Sequence, residues 1–208
     1  MANVLFIKAN SRPIEQAVSV QLYQAFLDQY KESNPEDTIT ELDLFEENLP
    51  YYDNEKITGM FKLSKGMDLT EAEKAATDLV ISYLDQFLAA DKIVFAFPLW
   101  NFTVPAVLHT YLDYLAQAGK TFRYTAEGPV GLLTDKKVVL LNARGGVYSE
   151  GPAQSVEMAV NFVTAMLSFW GVQDITKVII EGHNQYPDQA EGIISKGLAN
   201  AVDVAKTF

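Results

Sequence analysis

Short runs of consecutive apolar residues alternate along the chain with longer stretches in which apolar residues recur at helical spacing. Continuous apolar runs are typical of parallel strands covered on both faces, and polar–apolar alternation is typical of a strand nearer an edge. Because helical segments separate the runs, we expect parallel pairing with right-handed crossovers. The continuous runs are residues 4–7, 92–97, 136–142 and 175–180, and the alternating one is residues 38–42.

This pattern predicts an α/β fold, a doubly wound sheet of five parallel strands in three layers, with the flavodoxin-like order 2-1-3-4-5 as first choice. Thr70 and Glu73 form a capping-box pattern that opens one helix. Residues 121–131 indicate a hairpin or lid, and residues 44–69 are a long excursion with a short helix near 57–65. No linker or repeat interrupts the chain, so we expect a single domain over residues 1–208.

Charge and composition limit the partners and the chemistry that can be expected of this protein. The 208 residues carry 16 basic and 27 acidic side chains, a formal net charge of −11. The negative electrostatic field of such a protein repels nucleic acid and anionic membrane surfaces, and we expect neither as a partner. There is no cysteine, which excludes thiolate chemistry and suits a reducing compartment. With no signal-peptide pattern and no long apolar run, we expect a cytoplasmic protein.

Ligands of doubly wound sheets bind beyond the carboxyl ends of the strands, and residues 10–19 follow the first strand there. They lead into a helix, whose first amides and positive dipole end suit a phosphate. Ser11 and Ser19 add hydroxyl groups. The segment has neither a Walker loop nor Gly-x-Gly-x-x-Gly. Phosphate binding is one interpretation, and simple helix capping by the serines is the other.

The loop after the third strand, residues 97–105, is strongly apolar and aromatic. Such a surface is avoided in water unless something covers it, and flat aromatic ligands need walls of this kind. Asn101 offers both a donor and an acceptor that could orient such a ligand. The competing interpretation is local packing of Trp100 and Phe102 on the edge of the sheet.

The loop after the fourth strand contains the adjacent pair Gly145 and Gly146. Two glycines let backbone amides approach a ligand closely, and such amides can bond the pyrimidine edge of a flavin. The alternative interpretation is a plain turn, because a pair of glycines by itself is weak support for flavin binding.

In combination, these segments resemble the FMN-dependent NADH azoreductases, a group that belongs with the flavodoxin-like quinone reductases. The likeness spans essentially the whole chain. The segments that carry it are Lys8-Ala9-Asn10-Ser11, Ala17-Val18-Ser19, Pro98-Leu99-Trp100-Asn101-Phe102-x-x-Pro105 and Ala143-Arg144-Gly145-Gly146.

The resemblance implies a homodimer with one FMN per subunit and active sites at the interface. It implies ping-pong hydride transfer from NADH through flavin N5 to quinones and aromatic azo compounds, cleaving azo bonds to amines, with no catalytic side chain. The cofactor-binding residues carried over by position are Ser11, Ala17, Val18, Ser19, Pro98, Leu99, Trp100, Asn101, Phe102, Ala143, Arg144, Gly145 and Gly146.

The chain departs from the family pattern in ways that put single hydrogen bonds and substrate preference in doubt. Many members have Ser-x-Ser where this chain has Ala17-Val18-Ser19, so one hydroxyl is missing. Some have Met-Tyr at Leu99-Trp100 and Ser at Ala143.

Other functions have less support. His109 and His183 are the only histidines and lie too far apart for a paired metal motif, so we interpret both as ordinary surface or interface residues. No Gly-x-Ser-x-Gly elbow is present, which argues against a serine hydrolase. The serious rival is an FMN-binding electron carrier that turns over no substrate. The long segments 44–69 and 121–131 favour an enzyme, because they could enclose a substrate pocket.

The stretch from residue 153 to residue 170 predicts a helix with more apolar circumference than one sheet face can cover. A self-complementary contact with a second copy would bury the excess. The alternative is that residues 120–131 fold over this helix. The apolar residues are Val156, Met158, Ala159, Val160, Phe162, Val163, Met166, Leu167, Phe169 and Trp170.

Overall fold

Five parallel strands form one sheet in the computed structural model, which describes residues 1–208. The sheet order is β2-β1-β3-β6-β7, so the predicted order 2-1-3-4-5 is confirmed. The two remaining strands, β4 and β5, form a separate antiparallel hairpin. The strands are β1 (Asn3–Lys8), β2 (Thr38–Asp43), β3 (Lys92–Pro98), β4 (Phe122–Thr125), β5 (Gly128–Gly131), β6 (Lys137–Arg144) and β7 (Asp174–Glu181).

Six helices cover the two faces of the sheet. They are α1 (Val18–Ser33), α2 (Asn54–Ser64), α3 (Glu71–Ala89), α4 (Ala106–Leu115), α5 (Val160–Phe169) and α6 (Ala190–Thr207). The capping box of Thr70 and Glu73 is present at the start of α3, as predicted. The short helix expected near residues 57–65 is α2, which begins earlier because Asp53 caps it by accepting from the Lys56 amide. None of the six helices is both long and apolar enough to cross a lipid bilayer.

Successive side chains of each strand enter different cores, because strand residues alternate between the faces of the sheet. Leu5, Ile7 and Phe95 lie in a core of 29 buried residues beneath α3, α4 and α5. Phe6 and Val94 lie in a core of 16 buried residues beneath α1 and α6. This double coverage explains why the central strands have continuous apolar sequences.

The single helix predicted over residues 153–170 is wrong in its first half. The chain forms a 3-10 turn at Pro152–Val156, and α5 begins only at Val160. The Glu157 carboxylate accepts hydrogen bonds from the amides of Ala159, Val160 and Asn161 at 2.8–3.1 Å, and so caps α5. Apolar periodicity alone does not reveal that Glu157, three positions before the first helical residue, caps and so begins the helix.

The predicted hairpin is confirmed, and it covers only one end of α5. The Phe122 ring packs at 4.7 Å from the Phe169 ring, and the Leu133 amide donates to the Trp170 carbonyl. Met158 remains 54% exposed, and Phe162 and Met166 are only partly buried. The hairpin therefore accounts for the apolar residues at the end of α5 and leaves those near its start uncovered.

Candidate functional site

The loops that follow β1, β3, β6 and β7 meet around a cavity of about 520 Å³ at the carboxyl edge of the sheet. Nine of the thirteen predicted cofactor residues line it: Ala17, Val18, Ser19, Pro98, Leu99, Trp100, Ala143, Arg144 and Gly145. The other four lie in the same loops within two positions of a lining residue: Ser11, Asn101, Phe102 and Gly146. The structure thus brings the three sequence segments to one place, as the edge rule for doubly wound sheets requires.

At one end of the cavity, Asn10 organises the turn before α1. Asn10 is 3% exposed, its Nδ2 donates to Ser19 Oγ at 2.8 Å, and its Oδ1 accepts from the Arg12 amide at 3.0 Å. Since Ser19 Oγ accepts this bond, its own proton is free to be donated to a ligand. Helix α1 has no side-chain cap at Ala17, so its first amides are open to an anion.

Arg12 supplies positive charge at the same end. Its side chain lines the cavity, is exposed, and forms no ion pair within the chain. Glu15 also lines this cavity, so the preference for a phosphate at this end comes from the unpaired guanidinium together with the helix N-terminus and not from a net positive charge.

The aromatic loop after β3 contains a tight turn with an unusual backbone. Trp100 and Thr103 exchange hydrogen bonds of 2.9 and 3.0 Å, and between them Asn101 and Phe102 have φ of 48° and 71°. The left-handed region is costly for a bulky residue such as Phe102 and persists only where the surroundings hold it. Here the Met158 amide donates to the Phe102 carbonyl at 2.8 Å.

The turn at residues 100–103 leaves the polar groups of Asn101 without partners in the chain. Neither the backbone amide nor the side chain of Asn101 has a hydrogen-bond partner in the chain. Phe102 is 50% exposed, with its ring edge-to-face to that of Tyr148 at 6.4 Å. The local-packing interpretation therefore does not account for Phe102 or Asn101.

Trp100 lines both this cavity and a second one of about 650 Å³. Phe45 and Tyr51 help to line the second cavity, and the Phe45 ring lies 6.3 Å from the Trp100 ring. Both residues belong to the long segment 44–69, which the sequence indicated could enclose a pocket. The walls are mainly apolar and aromatic, and Asp113 and His109 are the ionisable side chains among them.

The glycine loop has backbone amides without partners in the chain. The structure, however, gives another reason for glycine at these positions than the close approach to a ligand that the sequence suggested. Neither Gly145 nor Gly146 donates a backbone hydrogen bond within the chain. A Cβ added at Gly145 would lie 2.4 Å from Asn184 Nδ2, and one at Gly146 would lie 3.2 Å from the Tyr148 ring. Gly145 therefore makes room for Asn184.

Arg144 occupies the predicted segment, but its guanidinium is bound to two carboxylates. Its side chain is 3% exposed, with Nη1 3.3 Å from Glu157 and Nη2 2.8 Å from Glu181. Burial alone would raise the pKa of Glu181, but hydrogen bonds from Ser149 and the Tyr148 amide and the charge of Arg144 together lower it. A guanidinium held in this way is not available to a ligand phosphate.

Nine lining residues are not among the predicted cofactor-binding residues, and four of them lie in the loop and helix after β7. His183 is the clearest case, because its Nδ1 is buried without a hydrogen-bond partner and burial lowers the pKa of the ring. The interpretation of His183 as an ordinary surface residue is therefore wrong. The edge rule applies equally to β7 and would have found it. Gln21, His183, Asn184, Ala190 and Ile194 lie outside the predicted segments, whereas Asn10, Arg12, Glu15 and Gln16 lie within the predicted loop 10–19 but were not assigned to the cofactor.

Comparison with known proteins gives the same picture. A family model described as the flavodoxin-like fold matches residues 2–204. The chain is 64% identical to FMN-dependent NADH:quinone oxidoreductase 3 of Bacillus cereus over 208 residues, covering 100% of both proteins. It is 62% identical to the FMN-dependent NADH:quinone oxidoreductase of Brevibacillus brevis, again over 100% of both. The chain belongs to this oxidoreductase family.

Solved structures extend the family comparison. An azoreductase from Bacillus anthracis superposes with a TM-score of 0.98 at 62% identity, and each chain is covered completely. An FMN-dependent NADH-azoreductase from the same species, solved in complex with FMN, superposes with a TM-score of 0.88 at 28% identity over 99% of this chain and 100% of that one.

The residues present fit the cofactor of this oxidoreductase family. One end of the cavity carries Arg12 and the uncapped start of α1, which suit a phosphate. The other end carries the wall of Trp100 and the free amide of Gly145, which suit the face and polar edge of a flat ring. The buried, unpartnered Nδ1 of His183 needs a polar partner that the chain itself does not supply.

Proposed function

We propose that this chain is an FMN-dependent oxidoreductase that passes hydride from NADH to quinones and aromatic azo compounds, whose azo bonds are thereby cleaved to amines. The observation that carries the proposal is a single cavity with a cationic end and an aromatic end at the carboxyl edge of the sheet. FMN, when bound, supplies the hydride chemistry through its ring system. The chain supplies binding and orientation from one domain spanning residues 1–208.

The phosphate end would hold the cofactor by charge and by directed hydrogen bonds. Arg12 contributes the positive charge, and the amides at the start of α1 point along the helix axis toward the anion. Ser19 donates its hydroxyl proton, with its orientation fixed by Asn10. Ser11, like Arg12, is exposed and would contact the phosphate from outside.

The ring end would be held by apolar contact and backbone amides. Pro98, Leu99 and Trp100 form the wall, and Ala143 lies beside them because its carbonyl accepts from the Leu99 amide at 3.1 Å. The amides of Gly145 and Gly146 donate to the polar edge of the ring, where added electrons place negative charge.

The second cavity provides room for the electron donor and acceptor in turn. Its aromatic walls suit quinones and azo compounds, and Asn101, which lines it, has free polar groups to orient them. A site that admits one reactant after the other on the same side of Trp100 is consistent with a ping-pong cycle. We place this activity in the cytoplasm, where NADH is found.

We further propose that the active unit is a homodimer with one FMN per subunit. Met158, just before α5, is 54% exposed, and Phe162 in the first turn of α5 is only partly buried. Phe162 stacks on His109 at 5.0 Å, and His109 lines the second cavity. A second copy seated on Phe162 and Met158 would therefore also close that cavity.

The absorption spectrum and turnover of the purified protein test the proposal. We expect a yellow protein that releases FMN on denaturation and that, without any other protein, oxidises NADH when a quinone is added. A colourless protein that also fails to bind added FMN would contradict the proposal. A protein that binds FMN but oxidises NADH only with a separate reductase would be the rival electron carrier.

Arg12→Ala tests the cationic end by comparing two flavins. We expect affinity for FMN to fall about tenfold, because a charge-assisted hydrogen bond to a phosphate contributes on the order of 1.5 kcal/mol. Affinity for riboflavin, which lacks the phosphate, should not change. The measurement is titration of the cofactor-free protein by flavin fluorescence. Lys196→Ala on α6 makes the same change in net charge away from the cavity and serves as control. Equal losses for FMN and riboflavin would argue that Arg12 does not contact the phosphate.

A further inference from the structure

Two loops that line the cofactor and substrate cavities are joined beneath them by a buried ion pair. Arg144 precedes the glycine loop, and Glu157 precedes the segment that bonds to the aromatic loop. Their side chains are 3% and 4% exposed, with Nη1 and Oε1 3.3 Å apart. We infer that the Arg144–Glu157 pair is a positioning device that sets the aromatic loop at residues 101–103 relative to the glycine loop at residues 145–146. The inference rests on the proposed function.

The first link runs from Arg144 into the glycine loop. Arg144 Nε and Nη2 lie 2.9 and 2.8 Å from one oxygen of Glu181. Glu181 also accepts from the amides of Tyr148 and Ser149 at 2.9 and 3.2 Å. The Tyr148 ring lies 5.6 Å from Arg144 Cζ. The guanidinium therefore fixes both ends of the loop that contains Gly145 and Gly146.

The second link runs from Glu157 to the aromatic loop. Glu157 is held by Arg144 and by three amides of the first turn of α5. The next residue, Met158, donates its amide to the Phe102 carbonyl at 2.8 Å and pairs with Thr103 in a short parallel bridge. Fixing Glu157 thus fixes the only backbone contact that holds Phe102 from outside its own turn.

The backbone conformation of Phe102 requires a restraint of this kind. Its φ of 71°, beside that of 48° at Asn101, is unfavourable for a side chain with a Cβ and persists only under restraint. The free amide and side chain of Asn101 take their direction from that turn. Loosening the ion pair would therefore release the turn and misplace Asn101 and Phe102, although neither residue touches Arg144 in the hydrogen-bond network.

Because Arg144 and Glu157 are both buried, the test substitutions must leave neither residue as an isolated buried charge. Removing Arg144 altogether would leave the two carboxylates unpaired in a dry environment and could unfold the protein. Glu157→Gln is milder, because the amide keeps the length of the side chain and an oxygen for the Ala159 and Val160 amides while losing the charge toward Arg144. Arg144→Lys keeps the charge but cannot span both carboxylates.

The experiment measures FMN affinity and hydrogen exchange in Glu157→Gln and Arg144→Lys. We expect FMN affinity to fall about tenfold in both variants, as is typical when a residue supporting a binding group is lost. The visible circular dichroism of bound FMN should change, because the aromatic loop lies against the ring. In the cofactor-free protein, the amides of Thr103 and Met158 should exchange faster than in the wild type.

Two control variants separate positioning from general stability. Lys136 donates to the Leu88 and Ala90 carbonyls at the opposite edge of the sheet, so Lys136→Met should lower the melting temperature without changing FMN affinity or these exchange rates. Glu150→Gln removes a charge from the same segment at an exposed side chain without hydrogen bonds, and should change nothing.

The inference is overturned if Glu157→Gln and Arg144→Lys lose melting temperature as Lys136→Met does but bind FMN and exchange as the wild type does. Should only one of the two variants fold, that variant decides the result by the same measurements. A wild-type protein that binds no FMN would instead overturn the proposed function. That outcome differs from one in which the wild type binds FMN and the two variants bind it equally well.

Discussion

Replacing Gly145 by valine is expected to weaken FMN binding about 100-fold. The position is closed by the protein itself, since a Cβ there would lie 2.4 Å from Asn184 Nδ2 and 3.0 Å from Asn184 Cβ. Overpacking of this kind costs about 1–3 kcal/mol, the upper end of which corresponds to this loss of affinity. Because Asn184 Cβ is met as well as its amide group, either residue 184 or the glycine loop must move to relieve the collision, and movement of the loop displaces its free amides.

A rescue variant distinguishes collision with Asn184 from collision with the cofactor. Gly145→Ala alone should weaken FMN binding about tenfold, and Asn184→Gly in the same protein should recover most of the loss by removing the three atoms that the new Cβ meets. Gly192→Ala, where a Cβ meets nothing within 4 Å, is the matched control. A double variant that binds FMN no better than Gly145→Ala would show that the cofactor, and not Asn184, needs the space. FMN titration of the cofactor-free proteins measures all four.

Phe162→Glu is expected to dissociate the proposed dimer and to remove most of the quinone reductase activity with it. The ring is partly buried, stacks on His109 at 5.0 Å, and lies on the helix beside the exposed Met158. Burying a carboxylate without a partner in an interface costs several kcal/mol, which is enough to separate chains at micromolar concentration. Each subunit carries a net charge of −11, so added negative charge also increases the repulsion between them.

Sedimentation velocity and steady-state activity check this expectation together. Ile193→Glu is the matched control, because Ile193 is a partly buried apolar residue of α6 on the opposite face of the sheet. It should cost stability but leave the protein dimeric. A wild-type protein that sediments as a monomer while fully active would reject the dimer, as would a Phe162→Glu variant that stays dimeric.

Much of the fold follows from local periodicity. Parallel strands buried on both faces have no polar alternation, and this is why residues 4–7 and 92–97 were identified without knowledge of their neighbours. The capping box of Thr70 and Glu73 is likewise local, because both partners lie within one helical turn. The strand order was predicted as the first choice for a doubly wound sheet, and the alternating sequence of β2 indicated a strand near an edge.

Loops at the carboxyl edge could also be predicted, since strand direction alone places them there. The segments around Ser19, Trp100 and Gly145 meet at one cavity for that reason. The sequence could not say which atoms of each loop face the cavity. Gly145 is required by Asn184, which lies 39 positions away, and no spacing rule links the two residues.

Tertiary structure decided the partners of the charged and polar side chains. Arg144 belongs to a segment that the sequence assigned to the cofactor, yet its guanidinium binds Glu157 and Glu181. The start of α5 was misplaced for a related reason, because the capping carboxylate of Glu157 is oriented by Arg144 from another strand. The sequence by itself determined which faces are buried and where the strands end, because periodicity records burial. Only the folded chain decided which charged side chains of distant segments are paired and which remain free for a ligand, because such ion pairs are chosen by proximity in space.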